Sequence, residues 1–375
     1  MSSKIRILFY IPALQGGGAE KVLINMVNHM DQNAFDITVA TEFYDKASER
    51  LKDGIHYKAI FPPCSGWKRK AAHSWFRLMT TLGLTYSLYL KDSYDIETAY
   101  LEFGATKVIA SSKNQKALKL AWVHCDLSKH INASAVPKLK KQYRNFDQIV
   151  CVSNDVLKSF TAFVQSEIPA AVLYNIIDEQ EILAKAEEPL TRRWKQDRVR
   201  LLSVGRLTAQ KGFDDLIEIA SWLKKDGCSF ELKILGKGED REKLQKLIDD
   251  LDLQDTVELC GYCNNPYNLL ASADIAVCSS RYEGFSTFIL EVLILGKCIV
   301  TRDCTGMKEM LDDAGIITGM AKEDLYAGLK TVLNDEKLRK QYASCATERG
   351  KLFYSGRLIG ILEGFLKEAV KRKKV

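Results

Sequence analysis

Asp274-Ile275-Ala276-Val277-Cys278-Ser279-Ser280-Arg281-Tyr282-Glu283-Gly284-Phe285-Ser286-Thr287-Phe288-Ile289-Leu290-Glu291 reads in three parts. The run 274–278 has the length and apolar content of a buried strand, 279–286 is a loop turning at Gly284, and Thr287 opens an apolar helix. Strand, loop and helix in that order are the repeating element of parallel α/β folds. Glu283 falls in the loop, the backbone N–H groups of Phe285, Ser286 and Thr287 open the helix, and Glu291 lies about one turn inside. A helix N-terminus attracts anions, and a carboxylate accepts paired hydroxyls. The stretch therefore suits a ligand with hydroxyls at both ends and a negative group between them, as a nucleotide-sugar has. Glu291 interrupts the apolar run Phe288–Leu295, where a carboxylate is costly unless something pairs with it.

The same alternation extends in both directions. Before the midpoint, strands are expected at Ile5–Ile11, Phe35–Thr41, Ile96–Leu101, Leu118–Val123, Gln148–Val152 and Ala171–Tyr174. A charged, irregular stretch with Pro189 and Arg192-Arg193-Trp194-Lys195 follows. A fresh series then runs through Val199–Val204, Phe230–Leu235, Thr256–Cys260, Asp274–Cys278, Lys297–Thr301 and Gly315–Thr318. The pattern predicts an α/β protein of two Rossmann-like domains: 1–178, a linker over 179–198, and 199–350. A C-terminal helix and basic tail, 351–375, are expected to pack back on the first domain. In such folds ligands sit beyond the carboxyl ends of the strands.

A chain of 375 residues exceeds the size at which one core keeps growing. Its 46% hydrophobic and 27% charged content is that of a soluble globular protein, and the net charge of +6 is mild. Ten scattered cysteines and an N-terminus running straight into a strand predict reduced thiols and a cytoplasmic location. Cys260 and Cys263 have no second pair nearby and read as strand-end packing. The histidines form no ligand cluster, so neither a metal nor any other cofactor is expected. The uncharged run Leu78–Leu90 is too short to span a membrane.

Gly16-Gly17-Gly18-Ala19-Glu20-Lys21 follows the first strand, and Gly236-Lys237-Gly238 follows a strand of the second domain. Neither completes a dinucleotide fingerprint, because Lys21 and Arg241 stand where the third glycine belongs. Each serves either as a tight turn or as a backbone cradle for a ligand. Arg206 and Lys211 flank the end of strand 199–204, placed for a diphosphate. There they would stabilise a leaving group without a metal ion. His124 directly follows strand 118–123, where it either contacts substrate or caps the strand.

Taken with Val150-Cys151-Val152-Ser153, Tyr174-Asn175-Ile176-Ile177-Asp178, Ser203-Val204-Gly205-Arg206, Gly261-Tyr262 and Glu283-Gly284-Phe285, these segments are ordered along nearly the whole chain. In that order and spacing they resemble the family 4 retaining glycosyltransferases of bacterial polysaccharide and glycolipid synthesis, which have the GT-B fold. The family's glutamate, seven residues, glutamate motif matches Glu283 and Glu291. The resemblance implies an acceptor-binding first domain facing a nucleotide-sugar-binding second domain across a cleft. It assigns Glu283 to donor-sugar hydroxyls, Glu291 to the ribose, and Arg206 and Lys211 to the diphosphate. Backbone at Gly16, Gly17, Gly18, Gly236, Gly284, Phe285, Ser286 and Thr287 lines the donor, Gly261 and Tyr262 border the base, and His124 lies near the reacting centre. The implied reaction moves a hexosyl or N-acetylhexosaminyl group from a nucleoside-diphosphate sugar, UDP favoured, to a glycan or lipid-linked hydroxyl. Departure and attack occur on one face with the leaving phosphate as base, so no glycosidase-type carboxylate pair is needed. Ser286, Thr287 and Cys298 depart from the residues common in relatives, and the first two bear on sugar choice.

Trp67-Lys68-Arg69-Lys70, His73 and Trp75-Phe76-Arg77 interleave aromatics with cations, and Lys138–Lys141 and the C-terminus add charge of the same sign. This composition suits an anionic membrane surface; no nucleic-acid module is visible. Two other readings fit the same fold: a non-catalytic nucleotide-sugar or glycan-binding protein, and a nucleotide-sugar epimerase.

Overall fold

The computed structural model describes residues 4–15, 17–165, 167–190 and 192–374. The chain divides into two units, one comprising Met1–Ile177 with Ser355–Val375 and the other Asp178–Tyr354.

The first unit is built on β1 (Ile5–Tyr10), β2 (Phe35–Phe43), β3 (His56–Phe61), β4 (Ile96–Ala99), β5 (Leu118–Val123), β6 (Gln148–Cys151) and β7 (Ala170–Val172). All pair in parallel, in the order β3-β2-β1-β4-β5-β6-β7. The second sheet uses β8 (Val199–Val204), β9 (Phe230–Leu235), β10 (Val257–Gly261), β11 (Ile275–Cys278), β12 (Cys298–Arg302) and β13 (Ile316–Thr318). Its order is β10-β9-β8-β11-β12-β13, again parallel. Strands covered on both faces read as continuous apolar runs, which is why nearly all of them stand out in the sequence. Each order reverses beside its first strand, between β1 and β4 and between β8 and β11, the points where doubly wound sheets take their ligands.

The edge strand β3 was not expected. His56 is exposed and its neighbours are only half-buried, so the segment lacks the apolar run of a central strand. The stretch 179–198, expected as a linker, is a folded part of the second unit. Helix Glu179–Ala186 buries Ile182, Arg192 bridges Glu258 and the Cys260 carbonyl, and Lys195 and Arg198 both pair with Asp255. Trp194 donates to Ser272 and lies under the Lys233 ammonium. Lys233, itself buried in β9, is neutralised by Glu231 at 2.8 Å and Glu258 at 2.6 Å.

The final helix, Ser355–Lys374, belongs to the first unit. It buries Leu358, Leu362 and Leu366, accepts the Asp31 amide on Glu363, and pairs Lys373 with Asp147 at 2.7 Å.

Candidate active site

In the second unit the candidate residues stand on the loops that leave β8 and β11, adjacent parallel strands. The β8 loop passes Gly205 and Arg206, tightens into a turn at Ala209–Lys211, and enters helix Phe213–Lys225 through Gly212. Gly212 has φ +62°, and a Cβ there would stand 2.4 Å from the Ser279 carbonyl oxygen, so only glycine lets the loops close.

The two loops are joined along their length. The Arg281 amide donates to the Gln210 carbonyl at 2.8 Å, Gln210 Nε2 to the Tyr282 carbonyl at 3.0 Å, and Ser279 Oγ to the Lys211 carbonyl at 2.8 Å. At the centre Lys211 Nζ lies 2.6 Å from Glu283 Oε1, and Ser280 Oγ donates to the same oxygen at 2.6 Å. The side chains of Lys211 and Glu283 are only 19% and 9% exposed. Burial by itself lowers the Lys211 pKa, but the Glu283 charge, the nearby Cys278 and the hydrogen bond to Glu283 together outweigh it, and the net shift is upward. The lysine is therefore a held ammonium. Glu283 Oε2 makes no hydrogen bond among the described residues. Arg206 is exposed, with its guanidinium in no ion pair among them.

Gly284, Phe285 and Ser286 lead from Glu283 into helix Thr287–Ile294, whose first-turn amides receive no side-chain cap. Phe285 is buried and meets Phe353 edge-on at 6.1 Å. Glu291 is buried on that helix, where the Tyr267 hydroxyl donates to its Oε1 at 3.1 Å. The structure thus brings Lys211 to Glu283, and sets the helix start beside them.

A network missed in the sequence supports this edge. Arg281 pairs with Asp214 and Asp215 at 2.9 Å each. Arg302, 1% exposed, donates to Asp215 at 2.7 Å and to the Ser279 carbonyl at 3.0 Å. The available signal was Asp214-Asp215, one residue beyond Lys211-Gly212.

The loop after β9 has another explanation. A Cβ on Gly236 would stand 1.8 Å from the Gly205 carbonyl oxygen, and one on Gly238 2.2 Å from that of Leu207. These glycines seat one loop on the other, so backbone packing accounts for both. Gly261 closes β10 and accepts the Gly236 amide at 2.9 Å. Tyr262 is 65% exposed, with Lys237 Nζ 4.6 Å from its ring centre.

In the first unit, Gly17 precedes helix Gly18–His29 as its N-cap; Gly16 lies outside the described residues. His124 leaves β5 against the ring of Tyr100, 4.9 Å between centroids. Its backbone N–H and that of Cys125 both donate to Glu102 Oε1, at 2.5 and 3.1 Å. Its Nε2 is enclosed without a hydrogen-bond partner among the described residues. Burial pushes its pKa down, against the pull of Glu102 and a backbone hydrogen bond at Tyr100, so the ring is neutral at pH 7. Glu102 was also missed; an acid at the carboxyl end of a strand was its signal.

Among the described residues no group of three or more His, Cys, Asp or Glu is gathered as for a metal ion. Cys260 and Cys263 are free thiols. No helix among these residues is long and apolar enough to cross a membrane.

Residues 185–349 match the sequence model of the family described as "Glycosyl transferases group 1". A curated relative from Campylobacter jejuni, named N-acetylgalactosamine-N,N'-diacetylbacillosaminyl-diphospho-undecaprenol 4-alpha-N-acetylgalactosaminyltransferase, is 37% identical over 186 residues. That match spans 48% of this chain and 49% of the relative, about half the length of each. The amylovoran biosynthesis glycosyltransferase AmsD of Erwinia amylovora is 25% identical over 88% of this chain and 90% of its own. The crystal structure of Anabaena HepE in complex with UDP and glucose superposes with a TM-score of 0.75 at 19% identity. It covers 97% of this chain and 99% of that one. The fold is GT-B.

Proposed function

We propose that this chain, whose second unit carries a group 1 glycosyltransferase domain, moves a sugar from a nucleoside-diphosphate sugar to a hydroxyl of a glycan or lipid-linked acceptor, with retention of anomeric configuration. The observation that carries this reading is the Lys211–Glu283 pair on the joined loops of β8 and β11, beside an uncapped helix start.

In this reading the diphosphate lies against the first-turn amides of helix Thr287–Ile294, with Arg206 free to fold onto it and Lys211 held nearby. Cations and helix dipoles fixed where charge develops stabilise a departing diphosphate without reorganising. Glu283 already gives Oε1 to Lys211 and Ser280, and offers Oε2 to the sugar hydroxyls. Glu291, oriented by Tyr267, takes the ribose. His124 of the first unit, a neutral imidazole with Nε2 enclosed, is assigned a place near the reacting centre rather than a direct hydrogen bond to substrate. The bond from the anomeric carbon to the diphosphate oxygen breaks with its electrons on that oxygen. The acceptor hydroxyl adds to the same face, and its proton passes to the leaving phosphate. UDP is the favoured nucleotide, in line with the UDP bound in the Anabaena structure.

A lipid-linked acceptor is supported by the first unit's surface and by the diphospho-undecaprenol in the Campylobacter relative's name. Helix Gly66–Thr81 buries only Phe76 and Met79. Trp67, Ala71, Trp75 and Leu78 follow helical spacing on its outer side, continued by Leu82, Leu84 and Leu88, all exposed. Lys68, Lys70 and Arg77 flank that stripe. Arg69 and His73 are otherwise engaged, the first over the Phe43 ring at 4.6 Å and the second with Glu42 at 2.6 Å. An apolar outer stripe between cations suits an anionic membrane surface.

The test is incubation of the purified chain with a panel of nucleotide-sugars, scoring thermal shift, donor hydrolysis and transfer to added acceptors. Stabilisation by one nucleoside diphosphate and net transfer are expected. Donor consumed only by epimerisation, or no binding at all, would overturn the reading.

A further inference from the structure

Phe103 joins β4 to helix Gly104–Ala110, at the point where the first sheet reverses between β1 and β4. Its backbone is at φ 58° and ψ −97°, a conformation costly for any residue with a Cβ and rare for a bulky one. The other non-glycine residues described at positive φ are Gln165, Asp197, Asp252 and Asp312, all polar.

The strained conformation is held from several directions. The Phe103 carbonyl accepts Thr106 Oγ1 at 2.9 Å, the Lys107 amide at 3.2 Å and Gln142 Nε2 at 3.4 Å. The preceding Glu102 is fixed by the amides of His124 and Cys125. Packing does not explain the side chain: it is 45% exposed and stacks on no aromatic ring among the described residues. A glycine would take this backbone without strain, so the ring is displayed at a cost to the fold.

We infer that Phe103 recognises the acceptor: its ring is the apolar platform on which a pyranose of the acceptor stacks through its C–H face. This rests on the transfer reading and deepens it, because the acceptor hydroxyl is then borne on or beside a sugar ring. An apolar platform with a few fixed polar groups nearby is the usual make-up of a small-ligand site. Glu102 ties this loop to the end of β5 through the amides of His124 and Cys125.

The experiment compares wild type with Phe103→Tyr, Phe103→Ala and Phe103→Gly. Octyl hexosides and octyl N-acetylhexosaminides serve as acceptor probes, with binding read by saturation-transfer NMR and transfer by product formation. UDP thermal shift is measured in parallel. Phe103→Tyr is expected to keep acceptor KM within about twofold, whereas Phe103→Ala and Phe103→Gly raise it about tenfold, with kcat and the UDP shift unchanged. Between the two truncations, glycine should melt higher by about 2 °C, since only alanine retains the strain. Equal glycoside binding by wild type and both truncations overturns the inference. A wild type that binds UDP but no glycoside overturns it too, leaving donor binding intact. A wild type that binds no nucleotide refutes the transfer reading itself.

Discussion

Lys211 Nζ and Glu283 Oε1 are 2.6 Å apart although 72 positions separate them, and both side chains are largely buried. Truncating one partner of such a pair leaves the other charge stranded. Lys211→Ala should destabilise the protein by about 3 kcal/mol, while Lys211→Met with Glu283→Gln, which leaves no charge unpaired, should lose much less. Urea melts of wild type, Lys211→Met, Glu283→Gln and the double variant give the coupling. Lys211→Ala and the double variant should be nearly inactive in transfer, and a double variant that regains activity would remove the pair from the chemistry. Because the folded Lys211 pKa is raised, the unfolded state releases its proton first as pH climbs. The pair's contribution is complete below the ordinary lysine value of 10.5 and fades as pH rises through the folded value.

Asp215 carries a second prediction. It accepts from Arg302, which is almost wholly buried, and from Arg281, whose backbone joins the two loops. Asp215→Ala leaves the Arg302 guanidinium without a counter-charge and should cost about 3 kcal/mol. Asp215→Asn keeps an acceptor and should cost less. Thermal melts settle the order, and equal losses would show that shape rather than charge matters there.

The sheets were legible because their strands are continuous apolar runs, and the Glu283–Glu291 stretch because its strand, loop and helix are contiguous. The pairing of Lys211 with Glu283 was not legible. It depends on β8 lying beside β11, with β9 and β10 intervening in the chain but not in space. Charges misled at 192–198, where Arg192, Lys195 and Arg198 suggest solvent yet are spent on Glu258 and Asp255. Gly236 marks a limit of another kind, because the neighbouring Gly205 carbonyl by itself requires a glycine there. A glycine forced by a neighbouring carbonyl and one that cradles a ligand look identical in sequence.

The outer stripe of helix Gly66–Thr81 gives a third prediction. The chain should co-sediment with vesicles containing phosphatidylglycerol and much less with pure phosphatidylcholine, and salt should weaken the binding. Trp67→Ser with Trp75→Ser should lower binding at every salt concentration. Lys68→Gln with Lys70→Gln should lower it chiefly at low salt, by about 1 kcal/mol per charge. These positions are exposed and lightly held, by one hydrogen bond from Trp75 to the Tyr89 hydroxyl and by Lys68 lying over the Trp67 ring, so melting temperatures should move little. Unchanged sedimentation in both pairs would rule out docking by this helix.

His124 supplies a pH signature. Burial holds its folded pKa below the ordinary 6.5, so between those values the unfolded chain binds a proton that the folded one does not. Stability from this group is therefore complete above pH 6.5 and is lost as pH falls through the window down to the folded value, by up to about 1.4 kcal/mol per pH unit. Replacing the ring by an amide, His124→Asn, should flatten the fall in melting temperature between pH 7 and pH 5. The same shift keeps the imidazole neutral under mildly acidic conditions, so the acid limb of kcat/KM in wild type should lie below pH 6.5. Melting curves of wild type and variant that run parallel through this range would show that His124 titrates like a solvent-exposed histidine, and its role as a buried neutral ring would fall with that result.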